Sequence, residues 1–260
     1  MRIAVISDIH ANCLALDAAI ADLRQNSVDQ VVCLGDTIQG GAQPTQTLER
    51  LRDLACPVVM GNADAWLLTG DDDSGEPISK EQREVRAWTL AQLSAYDLDY
   101  LRGFQRTVEI RMGEMQRLLC FHGSPNSYDD VLLPETSKEE WDRLLGRFAP
   151  AIMAGGHTHT QQVRRIGEGL FFNPGSIGVV YDYHLPQEHF HTDAWAEYSV
   201  LTYEQGAMSL SFYRVPYDVD ILIKIVQAGG RPHADDLIDD YRRKEVKVSR
   251  ISQANSVNRL

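Results

Sequence analysis

Arg2-Ile3-Ala4-Val5-Ile6-Ser7-Asp8-Ile9-His10 is an apolar run that ends in a carboxylate and an imidazole two residues apart. An uninterrupted apolar run of this length reads as a buried strand, the kind found in α/β sheets that helices cover. Residues two apart in extended chain project to the same side, so Asp8 and His10 can reach one ligand. The same grammar recurs down the chain. Asp36 follows Val31-Val32-Cys33-Leu34, Asn62 follows Val58-Val59-Met60-Gly61, and His122 follows Leu118-Leu119-Cys120-Phe121. His157 and His159 follow Ala151-Ile152-Met153-Ala154 and two glycines that let the backbone turn sharply. Each polar residue stands where a strand ends, and ligands of open α/β sheets gather at those carboxyl ends.

The donor set narrows the chemistry. Carboxylates, imidazoles and one amide carbonyl, without thiolate, suit manganese, iron or zinc rather than a structural zinc or copper site. Asp36 is the natural bridge: each of its two oxygens can serve one ion, with the ions roughly 3.5 to 4 Å apart. A water shared by such ions is a hydroxide nucleophile near neutral pH.

On Ser7-Asp8-Ile9-His10, Gly35-Asp36, Gly61-Asn62-Ala63-Asp64, Phe121-His122-Gly123-Ser124-Pro125, Gly156-His157-Thr158-His159 and Asn173-Pro174-Gly175-Ser176, the chain resembles the calcineurin-like metallophosphoesterases, in their compact bacterial and archaeal phosphodiesterase branch. The resemblance implies a four-layer αββα sandwich of two mixed β-sheets flanked by helices. It makes Asp8, His10 and His159 ligands of one metal, Asn62, His122 and His157 ligands of the other, and Asp36 the bridge. Asp36, Asn62 and His122 then take catalytic roles, and the cofactors are two divalent ions, manganese or iron first, with zinc or nickel as alternatives. One position departs from the phosphomonoesterase and protein-phosphatase branches, where the residue after the asparagine is a histidine that protonates the leaving group: here it is Ala63. Losing a positioned acid costs about 10²- to 10⁴-fold on poor leaving groups. The function implied is hydrolysis of phosphodiester or phosphoanhydride bonds in small, nucleotide-like substrates by attack of a metal-bridging hydroxide. A phosphomonoesterase or protein phosphatase is the alternative within enzymes, and a binding module of the same fold without turnover is the alternative outside them. Asp64 reads as structural, and Asn173-Pro174-Gly175-Ser176 as a turn that supports the His157–His159 loop.

Composition bounds these readings. With 260 residues, 43% of them hydrophobic, the chain can bury a substantial core. A net charge of -12 argues against gripping long nucleic acid, which normally meets a basic face. Cys13, Cys33, Cys56 and Cys120 show no CxxC spacing and read as reduced thiols. The chain opens on a strand rather than on a basic and apolar leader, and no stretch approaches the roughly 18 apolar residues of a membrane span. The expectation is a cytoplasmic protein with a small phosphorylated partner and no membrane. Its oligomeric state is not written in the sequence.

The organisation expected is a metallophosphoesterase domain over 1–215, a C-terminal helical extension over 216–248 packed on it, and a loose tail over 249–260. Asn12 reads as the N-cap of a helix over 14–23, and 79–101 as one long or two short helices. A hairpin turns around Met112-Gly113-Glu114, and Ser137-Lys138-Glu139-Glu140 is a capping box. A closing hairpin turns at Gln205-Gly206, and helices follow over 219–228 and 234–243. The acidic segment Gly70-Asp71-Asp72-Asp73-Ser74-Gly75 and the His- and aromatic-rich segment over 181–195 read as loops, the latter with Tyr181, Tyr183 or Trp195 available to stack on a base.

Overall fold

The computed structural model describes residues 1–71, 78–113, 116–148, 151–181 and 190–242. Two sheets organise it. The first has the order β2 (Gln30–Cys33), β1 (Arg2–Ile6), β8 (Trp195–Glu204), β9 (Ala207–Pro216), with β1 parallel to β2 and antiparallel to β8. The second runs β3 (Val108–Arg111), β4 (Arg117–Cys120), β5 (Ile152–Ala154), β7 (Gly169–Asn173), β6 (Gln162–Ile166), with its β4, β5 and β7 parallel. Both sheets are mixed, as the sequence reading expects.

The layers follow from the two-residue period of the strands. Ile3 and Val5 of β1 face the second sheet and pack with Val32, Leu118, Cys120, Ile152, Ala154 and Phe172. Ala4 and Ile6 face the other way, onto Leu16, Ala19 and Ile20 of α1 (Cys13–Leu23) and Leu48 of α2 (Pro44–Leu54). On the far side of the second sheet, Met153 and Phe171 pack with Trp141, Leu144 and Leu145 of α6 (Lys138–Leu145). The order is therefore helix, sheet, sheet, helix.

Helix ends show why these segments stop where they do. Asn12 accepts from the Ala15 amide and caps α1. The segment 79–101 is two helices, α4 (Lys80–Gln92) and α5 (Ala95–Arg102), because Ser94 leaves the helical region and forms a capping box with Asp97. Ser137 caps α6 by accepting from Glu140, but the expected reciprocal bond is replaced: the Glu140 carboxylate pairs with Arg143 at 2.6 and 2.8 Å. Val58 and Val59, read as a strand, form only isolated bridges to Cys33 and Gln105, and Asn62 is the first residue of α3 (Asn62–Thr69).

After β9, α7 (Val219–Ala228) and α8 (Ala234–Arg242) form a helical pair held by Leu222, Val226, Ile238 and Tyr241. Leu14, Ala42 and Tyr217 pack against this cluster, which fastens the pair beside the start of α1. All four cysteines are free. Among the described residues no helix is long and apolar enough to cross a membrane. The expected centre of the acidic segment, Glu114 at the β3–β4 turn, Tyr183, His184 and His189, Arg243 at the end of the last helix and the C-terminal tail lie outside the described residues.

Candidate metal centre

Five of the seven expected ligands, Asp8, His10, Asp36, His157 and His159, have left-handed backbone, with φ between 47° and 68°. This corrects the extended geometry read from the two-residue spacings: the chain curls immediately after each strand. The curled segments brace one another. The amides of Asp8, His10 and Ala11 donate to the carbonyls of Gly35, Asp36 and Thr37, so the β1 and β2 loops run as a short ladder past the sheet edge. The two glycines before His157 also differ from expectation. Neither has positive φ. A Cβ on Gly156 would lie 2.1 Å from Ser7 Oγ and 2.9 Å from Asp8 Oδ2, so the glycine is needed for close approach of the two ligand loops.

The seven side chains meet in one place. Asp8, His10 and His159 place donor atoms within 4.8 Å of one another, and so do Asp36, His122 and His157. Asn62 Oδ1 lies 3.0 Å from His122 Nε2 and 3.1 Å from His157 Nδ1, which adds it to the second group. Asp36 stands between the groups, its Oδ2 3.7 Å from His10 Nε2 and 3.5 Å from His122 Nε2. Its Oδ1 accepts from the Ala63 amide at 2.8 Å. Asp36 therefore presents Oδ2 toward both groups while a backbone N–H anchors Oδ1.

Backbone carbonyls orient three of the rings. His10 Nδ1 donates to Gln39 O at 2.8 Å, His122 Nδ1 to Leu34 O at 2.8 Å, and His159 Nδ1 to Val179 O at 2.6 Å. A carbonyl only accepts, so each ring spends its Nδ1 proton there and turns Nε2 toward the site. His10 Nε2 and His159 Nε2 are 3.1 Å apart. Two neutral rings in that arrangement aim lone pairs at each other, and only a shared cation, a proton or a metal ion, holds them so close. Asp8 is fully buried, and its Oδ1 makes no hydrogen bond among the described residues, though His159 Nε2 lies 3.3 Å away. An orphaned buried carboxylate oxygen beside inward-turned imidazoles fits a divalent cation in the first group.

The electrostatics agree. Burial penalises the charge on His122, yet attraction to Asp36 and Asp8 overrides it and pushes the imidazolium up to about 10. Burial works against the Asp36 carboxylate too, but His122 and His10 hold it well below the usual range. His157 is pushed down to about 4 by burial and by His122. The buried carboxylates thus call for positive charge between them, and a divalent ion fits that need.

Supporting residues surround the ligands. Asp64 accepts from Thr37 N at 2.9 Å, Thr37 Oγ1 at 2.7 Å and Gly61 N at 3.2 Å, tying the Asp36 loop to the Asn62 turn. Asn173 donates to Gly156 O and Thr158 Oγ1, and Ser176 Oγ donates to Asp8 O, which is the support expected of that motif. Tyr181 packs at a tilt against the His159 ring, the ring centres 5.1 Å apart. Trp195, weighed as a base platform, instead donates to Glu197 and lies under Arg214. Not legible in the sequence was the cleft beside the centre, about 510 Å³, lined by His10, Asn62 and Ala63 together with Trp66, Arg231 and His233. Its far wall comes from α4 and α8. Only a pairing such as Glu84 with His233, 149 residues apart, reveals it, and no local pattern encodes that.

Known proteins agree with this architecture. Over 92% of this chain and 97% of the other, the structure is similar to a metallophosphoesterase from Sphaerobacter thermophilus, with 25% identity and a TM-score of 0.68. The hypothetical protein PH1004 from Pyrococcus horikoshii OT3 shares the fold at a TM-score of 0.76 and 19% identity, over 92% of this chain and 96% of its own. The uncharacterized protein MJ0912 of Methanocaldococcus jannaschii is 26% identical over 234 residues, which span 84% of this chain and 88% of that protein. Residues 1–192 match the calcineurin-like phosphoesterase superfamily domain. The chain belongs to that superfamily.

Proposed function

We propose that this protein is a dinuclear-metal phosphoesterase that hydrolyses phosphodiester or phosphoanhydride bonds of small, nucleotide-like molecules. The observation that carries this reading is the pair of donor groups sharing Asp36, with an orphaned Asp8 oxygen and inward-turned imidazoles. Asp8, His10 and His159 would hold one ion, Asn62, His122 and His157 the other, and Asp36 would serve both. When bound, such ions polarise a phosphoryl group and ionise water near neutral pH. Manganese and iron suit the donors best, with zinc or nickel as alternatives.

The chain's own groups set the rest of the reaction. Asn62 lines the cleft with its Oδ1 against the buried His122 Nε2, so this pair would place a phosphoryl oxygen on the cleft side of the centre. The methyl group of Ala63 lines the cleft where monoesterase relatives carry an acid, which favours diesters and anhydrides over monoesters. Trp66, Ile78 and Val85 give the cleft an apolar side that suits a base or aryl group. Four free cysteines support a reducing, cytoplasmic setting.

The test is hydrolysis by the manganese-loaded protein of an aryl phosphodiester, an aryl phosphomonoester and a dinucleoside polyphosphate, with Asp36→Ala as control. The expected result is diester or anhydride cleavage that disappears in the variant. Dominant monoester cleavage would overturn the diester assignment, and metal binding without turnover would favour a binding module.

A further inference from the structure

With a methyl group at position 63, a poor leaving group departing from the metal centre needs its proton from elsewhere. We propose that His233, carried by the turn between α7 and α8, donates that proton, an inference that rests on the phosphoesterase reading above.

Position comes first. His233 lines the same cleft as His10, Asn62 and Ala63. Its turn is fixed to the metal loop: Arg231 Nε donates to Gly40 O at 2.6 Å, and one terminal nitrogen of Arg231 donates to Pro232 O and His233 O at 2.7 and 2.8 Å. Gly40 directly follows Gln39, whose carbonyl orients His10. The turn and the ligand loop therefore keep one relative placement.

The ring is set up for the task. His233 has φ 56°, a left-handed conformation that costs an ordinary side chain about 1 kcal/mol or more and that Gly or Asn adopts more readily. Its Nε2 lies 2.7 Å from Glu84 Oε2 on α4, so the carboxylate fixes the ring plane. That leaves Nδ1–H as the donor; the Asp236 carboxylate is 3.7 Å from it, beyond hydrogen-bonding distance. The charged groups around the ring are Lys80, Glu81 and Glu84 of α4, Asp236 and Asp240 of α8, and Arg231 of the turn. A mere latch between α4 and α8 explains less. Arg231 and the Leu222, Val226, Ile238 and Tyr241 cluster already fasten the helical pair.

In the step itself, the phosphorus–oxygen bond to the leaving group breaks and its electron pair stays on that oxygen. The oxygen takes the Nδ1 proton. The ring, now neutral, regains a proton from the attacking water, so the net reaction adds one water across the bond and needs no further reactant.

The decisive comparison uses the manganese-loaded full chain on two diesters of one acid, with p-nitrophenyl and alkyl leaving groups. His233→Gln is expected to lower the ratio of alkyl to p-nitrophenyl turnover by about 10²- to 10⁴-fold, with bound manganese unchanged, and to abolish the alkaline limb of the rate profile. Glu84→Gln is expected to move that limb to lower pH, because the imidazolium loses its counter-charge; a latch would not shift it. Adding Ala63→His to His233→Gln is expected to return part of the lost ratio. An unchanged ratio in His233→Gln, or an unmoved limb in Glu84→Gln, would overturn the assignment of the acid while leaving the phosphoesterase reading intact. A metal-loaded wild type that cleaves neither diester would remove both.

Discussion

At the scale of single residues, the centre is built from conformations that side chains usually avoid. Left-handed backbone at Asp8, His10, Asp36, His157 and His159 costs roughly 1–2 kcal/mol at each position; the ladder between the β1 and β2 loops helps offset it at the first three, and the His157 amide donates to Asp8 Oδ2. Asp64 is the hub of that bracing, since its two oxygens accept from Thr37 and Gly61 on either side of the bridge. Asp64→Ala is therefore expected to weaken metal binding by about 10- to 100-fold, measured by titration calorimetry of the metal-free protein. An unchanged affinity would show that the loops hold their places without it. Gly156→Ala makes a sharper demand. Its Cβ would collide with Ser7 Oγ and crowd Asp8, so the His157–His159 loop must lift away from the first donor group. The variant is expected to bind at most one ion per chain by elemental analysis and to stay folded by circular dichroism.

At the scale of elements, the two-residue period accounts for what could be read in advance. Ile3 and Val5 against Ala4 and Ile6 sort the sandwich into its layers, so the strands and their carboxyl-end ligands were legible from apolar runs alone. Local chemistry also reached the caps, at Asn12 and Ser137. It failed where a distant partner decides. Val58 and Val59 look like a strand, but they find only a bridge on each side. Glu140 looks like the second half of a capping box, but Arg143 takes its carboxylate. The anchoring of Asp36 Oδ1 comes from the Ala63 amide, and the cleft depends on α8 returning to α4. Helix α6 gives a test at this scale. Trp141 is its buried anchor, edge-on to Phe171, and its indole nitrogen makes no hydrogen bond among the described residues. Trp141→Ala is expected to cost about 3–5 kcal/mol in urea unfolding. Trp141→Phe should cost far less, because no polar partner is left behind. Equal costs would mean that the indole nitrogen is satisfied by water.

For the molecule as a whole, stability depends on what the buried charges are allowed to hold. An ion that binds only the folded chain adds about 2.7 kcal/mol at a hundredfold excess over its dissociation constant. Chelation is thus expected to lower the melting temperature, and Asp36→Ala to abolish that response. A second dependence lies away from the metals, at Glu197 on β8. Burial raises its carboxyl from 4.5 to about 7, and Arg214, 2.9 Å away but 60% exposed, recovers only part of the cost because solvent shares its charge. The folded chain then binds the Glu197 proton more tightly than the unfolded chain does. Between those two values the native state carries the extra proton, so stability is greatest below the unfolded value and falls as pH rises through the folded one. The loss across that window is roughly 3 kcal/mol at most. Glu197→Gln removes the titration while keeping an oxygen for Trp195 and Arg214, so urea unfolding of the chelated proteins should show a shallower pH slope in the variant. Because His122 and the other site groups titrate alike in both chains, the difference between the two slopes belongs to Glu197. Parallel slopes would mean that Arg214 holds the carboxylate charged despite its burial.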